Sequence, residues 1–168
     1  MPRSRPNFAT KTTPMTAPTT PRQMKSAARF FAVQALFQME TSGQTVEAVC
    51  AEFLDHRFGA QIDDDTYMEG NPDHFRHIID AAINHQAQID QRTDQALVVR
   101  WPIDRIDPTL RAVFRAAGAE LLDESTPPKV VISEYLDVIT AFFPDGKERA
   151  LANGVLDHMA HAMRPDAF

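Results

Sequence analysis

The sequence predicts an all-α protein, and three observations carry that expectation. Apolar residues recur at spacings of three and four along most of the chain, the signature of helical faces. Capping residues followed by proline, the usual opening of a helix, stand at Asn71-Pro72, Asp107-Pro108 and Thr126-Pro127-Pro128. No segment alternates apolar and polar residues between hairpin turns, so no sheet is expected. At 168 residues the chain is long enough to bury a core.

Taken in order, Met1–Pro21 holds five prolines and many threonines but almost no large apolar side chains. Such a segment cannot offset its ordering entropy, so residues 1–21 are expected to be a disordered basic tail preceding a helical domain over 22–168. Arg22–Met39 predicts the central helix. Ala28, Phe31, Ala32, Ala35, Leu36 and Met39 form one face, and Phe30, Val33 and Phe37 widen it until little is left for water. Its first turns are basic through Arg22, Lys25 and Arg29. A short helix is expected over Val46–Arg57, then an acidic, glycine-bounded loop over Phe58–Asn71. Asn71-Pro72 opens a helix running to about Thr93, and Trp101-Pro102 ends whatever precedes it. Asp107-Pro108 opens the next, to about Asp123. Thr126-Pro127-Pro128 opens another to Phe143; its Val130–Ile132 run continues at helical spacing, which argues against a strand. Pro144-Asp145-Gly146 breaks the chain before a last helix over Lys147–Met163. The expectation is six or seven helices.

The formal net charge of −6 argues against a nucleic-acid partner, but its distribution argues for one. Residues 1–39 carry +6 without a single acid, and the remainder carries −12. A basic arm on an acidic body is the usual footprint of an anionic ligand, or of a solvated tail. Cys50 is the only cysteine and lies on an apolar helical face, which fits a core position and a reducing, cytoplasmic setting. No apolar run is long enough to span a membrane.

No catalytic or metal constellation emerges. His74/His77 and His158/His161 are spaced three apart, but no HExxH pattern accompanies them, and surface histidines are expected. The acidic run Asp63–Asp65 lacks the glycine and distal glutamate of a calcium loop. There is no Gly-rich phosphate loop and no GxSxG, so neither catalysis nor a cofactor is expected. Two features remain. Asn153-Gly154 sits inside the last helix, where glycine costs ~1 kcal/mol relative to alanine, and this suggests close approach of a helix or a ligand. Lys147 and Arg149 flank the start of that helix, where phosphate is readily held; solvated charges are the plainer alternative.

Four segments carry a family resemblance. DPTLRAVFRAAGAELL (Asp107–Leu122) is similar to D-R-A-I-L-R-x-A-x-Y-E-L-L, and PPKVVISEYLDVITAFF (Pro127–Phe143) to P-x-K-V-x-I-N-E-A-x-E-L-A-x-x-F. LANGVLDHMAHAMRP (Leu151–Pro165) is similar to F-V-N-G-V-L-D, and AVQALFQME (Ala32–Glu40) to A-V-Q-A-L-Y. In this order and spacing, across about Lys25–Pro165, they resemble the NusB family of bacterial transcription antitermination factors. Departures are specific. The family's dense arginine cluster is here Lys25-Ser26-Ala27-Ala28-Arg29. Leu151 replaces a phenylalanine, Ala119 and Phe37 replace tyrosines, and Ser133 replaces an asparagine.

The resemblance implies a NusB-like bundle in two small helical subdomains. It also implies binding of the boxA element of nascent ribosomal RNA together with NusE, a small-subunit ribosomal protein, within the RNA polymerase antitermination complex. On that reading Arg22, Lys25, Arg29, Lys147, Arg149 and Asn153 contact single-stranded RNA. Phe37, Asp104 and Leu110 are then expected to face the ribosomal partner. Two other readings share the fold: the RNA-binding domain of a ribosomal RNA cytosine methyltransferase, and a protein-only scaffold that has lost RNA binding.

Overall fold

A computed structural model describes residues 20–59, 61–62, 65–66, 69–97 and 103–168. The expectations for residues 1–19, for Asp63 and Asp64 and for Trp101-Pro102 fall outside the described residues. Seven α-helices are present among them: α1 (Pro21–Ser42), α2 (Val46–His56), α3 (Pro72–Asn84), α4 (Gln86–Ala96), α5 (Pro108–Leu122), α6 (Pro128–Phe142) and α7 (Lys147–Met163). Two 3₁₀ turns, Ile103–Arg105 and Pro165–Ala167, complete the helical set.

The starts follow local chemistry. Thr20 and Gln23 form a reciprocal capping box on α1, satisfying two otherwise orphaned amides. Thr45, Asn71 and Asp107 cap α2, α3 and α5 through their side-chain oxygens. Gly43 ends α1 in the left-handed region at φ 72°, a conformation costly for any residue with a Cβ.

Two expectations about the secondary-structure elements are corrected. The loop after α2 contains a minimal antiparallel pair, β1 (Gln61–Ile62) and β2 (Asp65–Thr66), with Gln61 opposite Thr66 and Ile62 opposite Asp65. Its four residues are too few for an alternation pattern to register in the sequence. The single helix expected from Pro72 to Thr93 is divided at His85, where φ −118° and ψ 20° leave the helical region. No proline or glycine marks that break.

Helix α5 is the hub: it packs on α1, α3, α4, α6 and α7. All but four of its residues are buried, a helix with no solvent face of its own. Leu110, expected at a partner surface, is one of them at 4% exposure, because it lies on the core side of the first turn of α5. Helix α1 packs on α2, α3, α5 and α6. Phenylalanine rings continue the core from α6 through α1 to α3. Phe142 stacks on Phe30 at 5.1 Å, Phe31 stacks on Phe58 at 4.7 Å, and Phe53 stacks on Phe75 at 5.9 Å. Cys50 is buried as expected, and burial pushes its thiol pKa up. Gly154 does not meet the expected neighbouring helix: a Cβ there finds nothing within 4 Å. The close approach is at Gly118 in α5, where a Cβ would stand 2.4 Å from Ile89 Cγ2 of α4.

Candidate nucleic-acid interface

The amino end of α1 lies beside α6, and the two helices bound a groove of about 300 Å³ lined by Arg22, Ser26, Lys129, Ser133, Glu134 and Asp137, with Val130 at its side. Arg22 and Lys25 stand three apart on α1, the spacing that places side chains on one face, and both are exposed. Lys129 rises from the first turn of α6 and is also exposed. Among the described residues none of these three cations pairs with an acid, whereas Arg29, Arg111 and Arg115 all do. Arg22 and Lys129 face the groove from α1 and α6, and Lys25 stands one helical turn from Arg22, so the amino end of α1 presents a cationic edge.

Arg29, expected on this edge, is instead beneath it at 4% exposure. Its Nε and Nη2 donate to Glu120 Oε2 and Oε1 at 2.8 and 3.1 Å, and its Nη1 lies 3.2 Å from Glu134. The reason is helical spacing: four residues beyond Lys25 the helix has already entered the core, between Ala28 and Phe30, both wholly buried. Tyr135 donates its hydroxyl to Glu120 Oε2 at 2.6 Å. His74 Nε2 lies 3.0 Å from Glu120 Oε1. His74 is thus a member of a buried cluster at 12% exposure, not the surface histidine expected. His77 pairs with Asp123 at 2.9 Å.

Burial opposes the ionisation of Glu120, but His74 and Arg29 outweigh it and hold the carboxyl at about 2. Burial likewise works against the Arg29 guanidinium; the hydrogen bond and charge of Glu120 prevail and raise its pKa. Burial and the neighbouring Glu120 charge push the Tyr135 phenol well above its ordinary value. The cluster joins α1, α3, α5 and α6 around one carboxylate, and so fixes the floor of the groove.

Arg149 is partly committed: its Nη1 donates to Leu136 O at 2.9 Å and to Thr140 Oγ1 at 2.7 Å, closing the end of α6. It still reaches Asp137 at 3.7 Å, so it borders the far end of the groove from Arg22. Lys147 and Asn153 are exposed on α7, and no contact ties either to the groove. The sequence reading missed Lys129, Ser133 and Asp137. Lys129 was legible as a cation in the first turn of α6, but only the packing of α6 on α1 sets it against Arg22.

A second acidic region lies at the other end of α1. Arg111 donates to Glu40 and to the carbonyl of Ile103 at 2.8 Å, tying the 3₁₀ turn that carries exposed Asp104 to the end of α1. Phe37 is half-buried against the core there.

Among the described residues no group of three metal-binding side chains occurs, and no helix is long and apolar enough to cross a membrane. The molecule is thus an all-α bundle that carries an open cationic edge at the α1/α6 junction beside a buried ionic cluster. The NusB family model matches residues 26–161. Transcription antitermination protein NusB of Agrobacterium fabrum is 40% identical over 88% of this chain and 89% of its own. The protein of the same name from Maricaulis maris is 40% identical over 87% of this chain and 91% of its own. Among solved structures, NusB from Aquifex aeolicus superposes with TM-score 0.65 at 23% identity, over 85% of this chain and 91% of that one. Antitermination factors NusB and NusE in complex with dsRNA match with TM-score 0.68 at 23% identity, over 82% of this chain and 96% of that one. The chain belongs to the NusB family.

Proposed function

We propose that this protein is a non-enzymatic, cytoplasmic transcription antitermination factor that binds boxA-type single-stranded RNA together with NusE. The observation that supports this is the unpaired pair Arg22 and Lys129 lining the α1/α6 groove, with exposed Lys25 one helical turn from Arg22, on a chain that is otherwise acidic. Cations without partners at a fixed spacing bind phosphates at the smallest cost in desolvated ion pairs. Arg149 borders the far end of the groove, Lys147 and Asn153 are exposed on α7 and available to RNA that runs beyond it, and the basic residues that precede the Thr20 cap of α1 act as an arm on the helical domain. Phe37 and Asp104, with Glu40 between α1 and α5, form the acidic and aromatic surface suited to a basic ribosomal protein. Leu110 supports that surface from within the core.

The relatives named as antitermination proteins match along most of their length, which favours this reading over an RNA-binding domain of a larger methyltransferase. The test is boxA RNA binding with and without NusE, comparing wild type with Arg22→Ala/Lys25→Ala/Lys129→Ala. Each lost phosphate contact lowers the log–log salt slope by about 0.7 on single strands, so the triple variant is expected to lose about 2. An unchanged affinity and slope would remove this edge as the RNA site. Capture of NusE with no RNA shift in wild type would favour the protein-only scaffold.

A further inference from the structure

The groove that the RNA reading uses holds two carboxylates in different states. Glu134 is committed: Ser26 Oγ donates to both its oxygens at 3.1 and 3.0 Å, and Arg29 closes on it from beneath. Asp137, three residues on, is 70% exposed, and its single ion-pair neighbour is Arg149 at 3.7 Å. The same Arg149 Nη1 is already engaged by Leu136 O and Thr140 Oγ1. Both Asp137 oxygens are therefore open to donors.

Lys129, Ser133 and Asp137 recur every four residues along α6, so cation, hydroxyl and carboxylate form one stripe about 12 Å long, the scale of a single extended nucleotide. Arg22 faces the cationic end of that stripe from α1. An ionised carboxylate only accepts hydrogen bonds. Beside a phosphate path it repels RNA unless a base presents donors to it. Guanine presents N1–H and N2–H side by side, matching two carboxylate oxygens. Cytosine and adenine offer one amino group beside an acceptor nitrogen, and the single N–H of uracil lies between two carbonyls.

We propose that the α1/α6 groove seats one unstacked guanine of single-stranded RNA, its phosphate on Arg22 and Lys129 and its Watson–Crick edge on Asp137. The inference rests on the RNA-binding reading above and adds a base-specific subsite to it.

The test is fluorescence anisotropy of the full chain with short oligouridines carrying one central guanosine, inosine or uridine. Wild type is expected to bind the guanosine oligomer about tenfold more tightly than the uridine one, with inosine, which lacks the N2 amino group, between them. Asp137→Asn and Asp137→Ala are expected to erase that order while leaving uridine binding equal or tighter, since a negative charge is removed. Lys129→Ala is expected to weaken all three oligomers together and to lower the salt slope. Equal binding of guanosine and uridine by wild type, with a normal salt slope, overturns the guanine subsite and leaves the RNA reading standing. So does a preference that survives at Asp137→Ala. If no oligomer binds wild type at low salt, the RNA reading falls and the subsite with it.

Discussion

Removing the Arg29 guanidinium would strand the Glu120 carboxylate, which is 1% exposed, with the Tyr135 hydroxyl and the His74 ring as its remaining neighbours. Breaking a buried pair from one side typically costs ~3–5 kcal/mol, because the remaining charge has lost its compensation. Arg29→Ala is therefore expected to lower stability by roughly that amount in urea unfolding, while the folded protein keeps the wild-type salt slope for RNA. Unaltered stability with a reduced slope would return Arg29 to the RNA edge. Arg29 also shows why charge at the entrance of a helix is a poor guide to function. Its type and position resemble those of Lys25, and only burial separates the two.

At the scale of the element, two glycines inside helices behave in opposite ways. Gly118 lets α5 approach α4 so closely that a methyl group would collide with Ile89, a β-branched side chain that is itself fully buried. Overpacking of this kind costs ~1–3 kcal/mol, against ~1 kcal/mol gained in helix propensity. Gly118→Ala is expected to lower the melting temperature. Gly154 is exposed with open space around it, so Gly154→Ala should raise stability by ~1 kcal/mol. Paired thermal melts of the two variants check both signs. The sequence reading chose Gly154 because its neighbour Asn153 is also a poor helix former. Gly118 drew no notice because RAAGAELL is rich in alanine and leucine, which hide a single glycine. Proximity to α4 is a fact of packing and leaves no local trace.

For the molecule as a whole, the Glu120 cluster predicts how the bundle responds to acid. Its carboxyl titrates at about 2 in the folded state against an ordinary 4.5, so the unfolded chain takes up its proton first as pH falls. The resulting stabilisation is complete above the unfolded value and is lost as pH drops from about 4.5 towards 2, amounting to about 3 kcal/mol. Helical circular dichroism followed against pH in mild urea should show cooperative loss in that window. Glu120→Gln is expected to be less stable near neutrality, with Arg29 left to Glu134 alone for charge compensation, and to show a flatter acid profile. An equally steep profile in the variant would place the acid sensitivity elsewhere. Because the cluster joins α1, α3, α5 and α6, its loss is felt by the fold and the groove together.

Taken alone, the sequence determined the helical class, the starts of α2, α3, α5, α6 and α7 to within a residue, and the family, because caps, prolines and apolar spacing act over a few residues. It also located the basic entrance of α1 and the absence of any familiar catalytic motif. Tertiary structure decided what those residues face. It drew Arg29, His74 and Leu110 into the interior, split α3 from α4 at His85, and set Lys129 and Asp137 of α6 beside Arg22 of α1. Partners more than a hundred residues apart in the chain meet through packing alone, so no local pattern could announce the groove that they form.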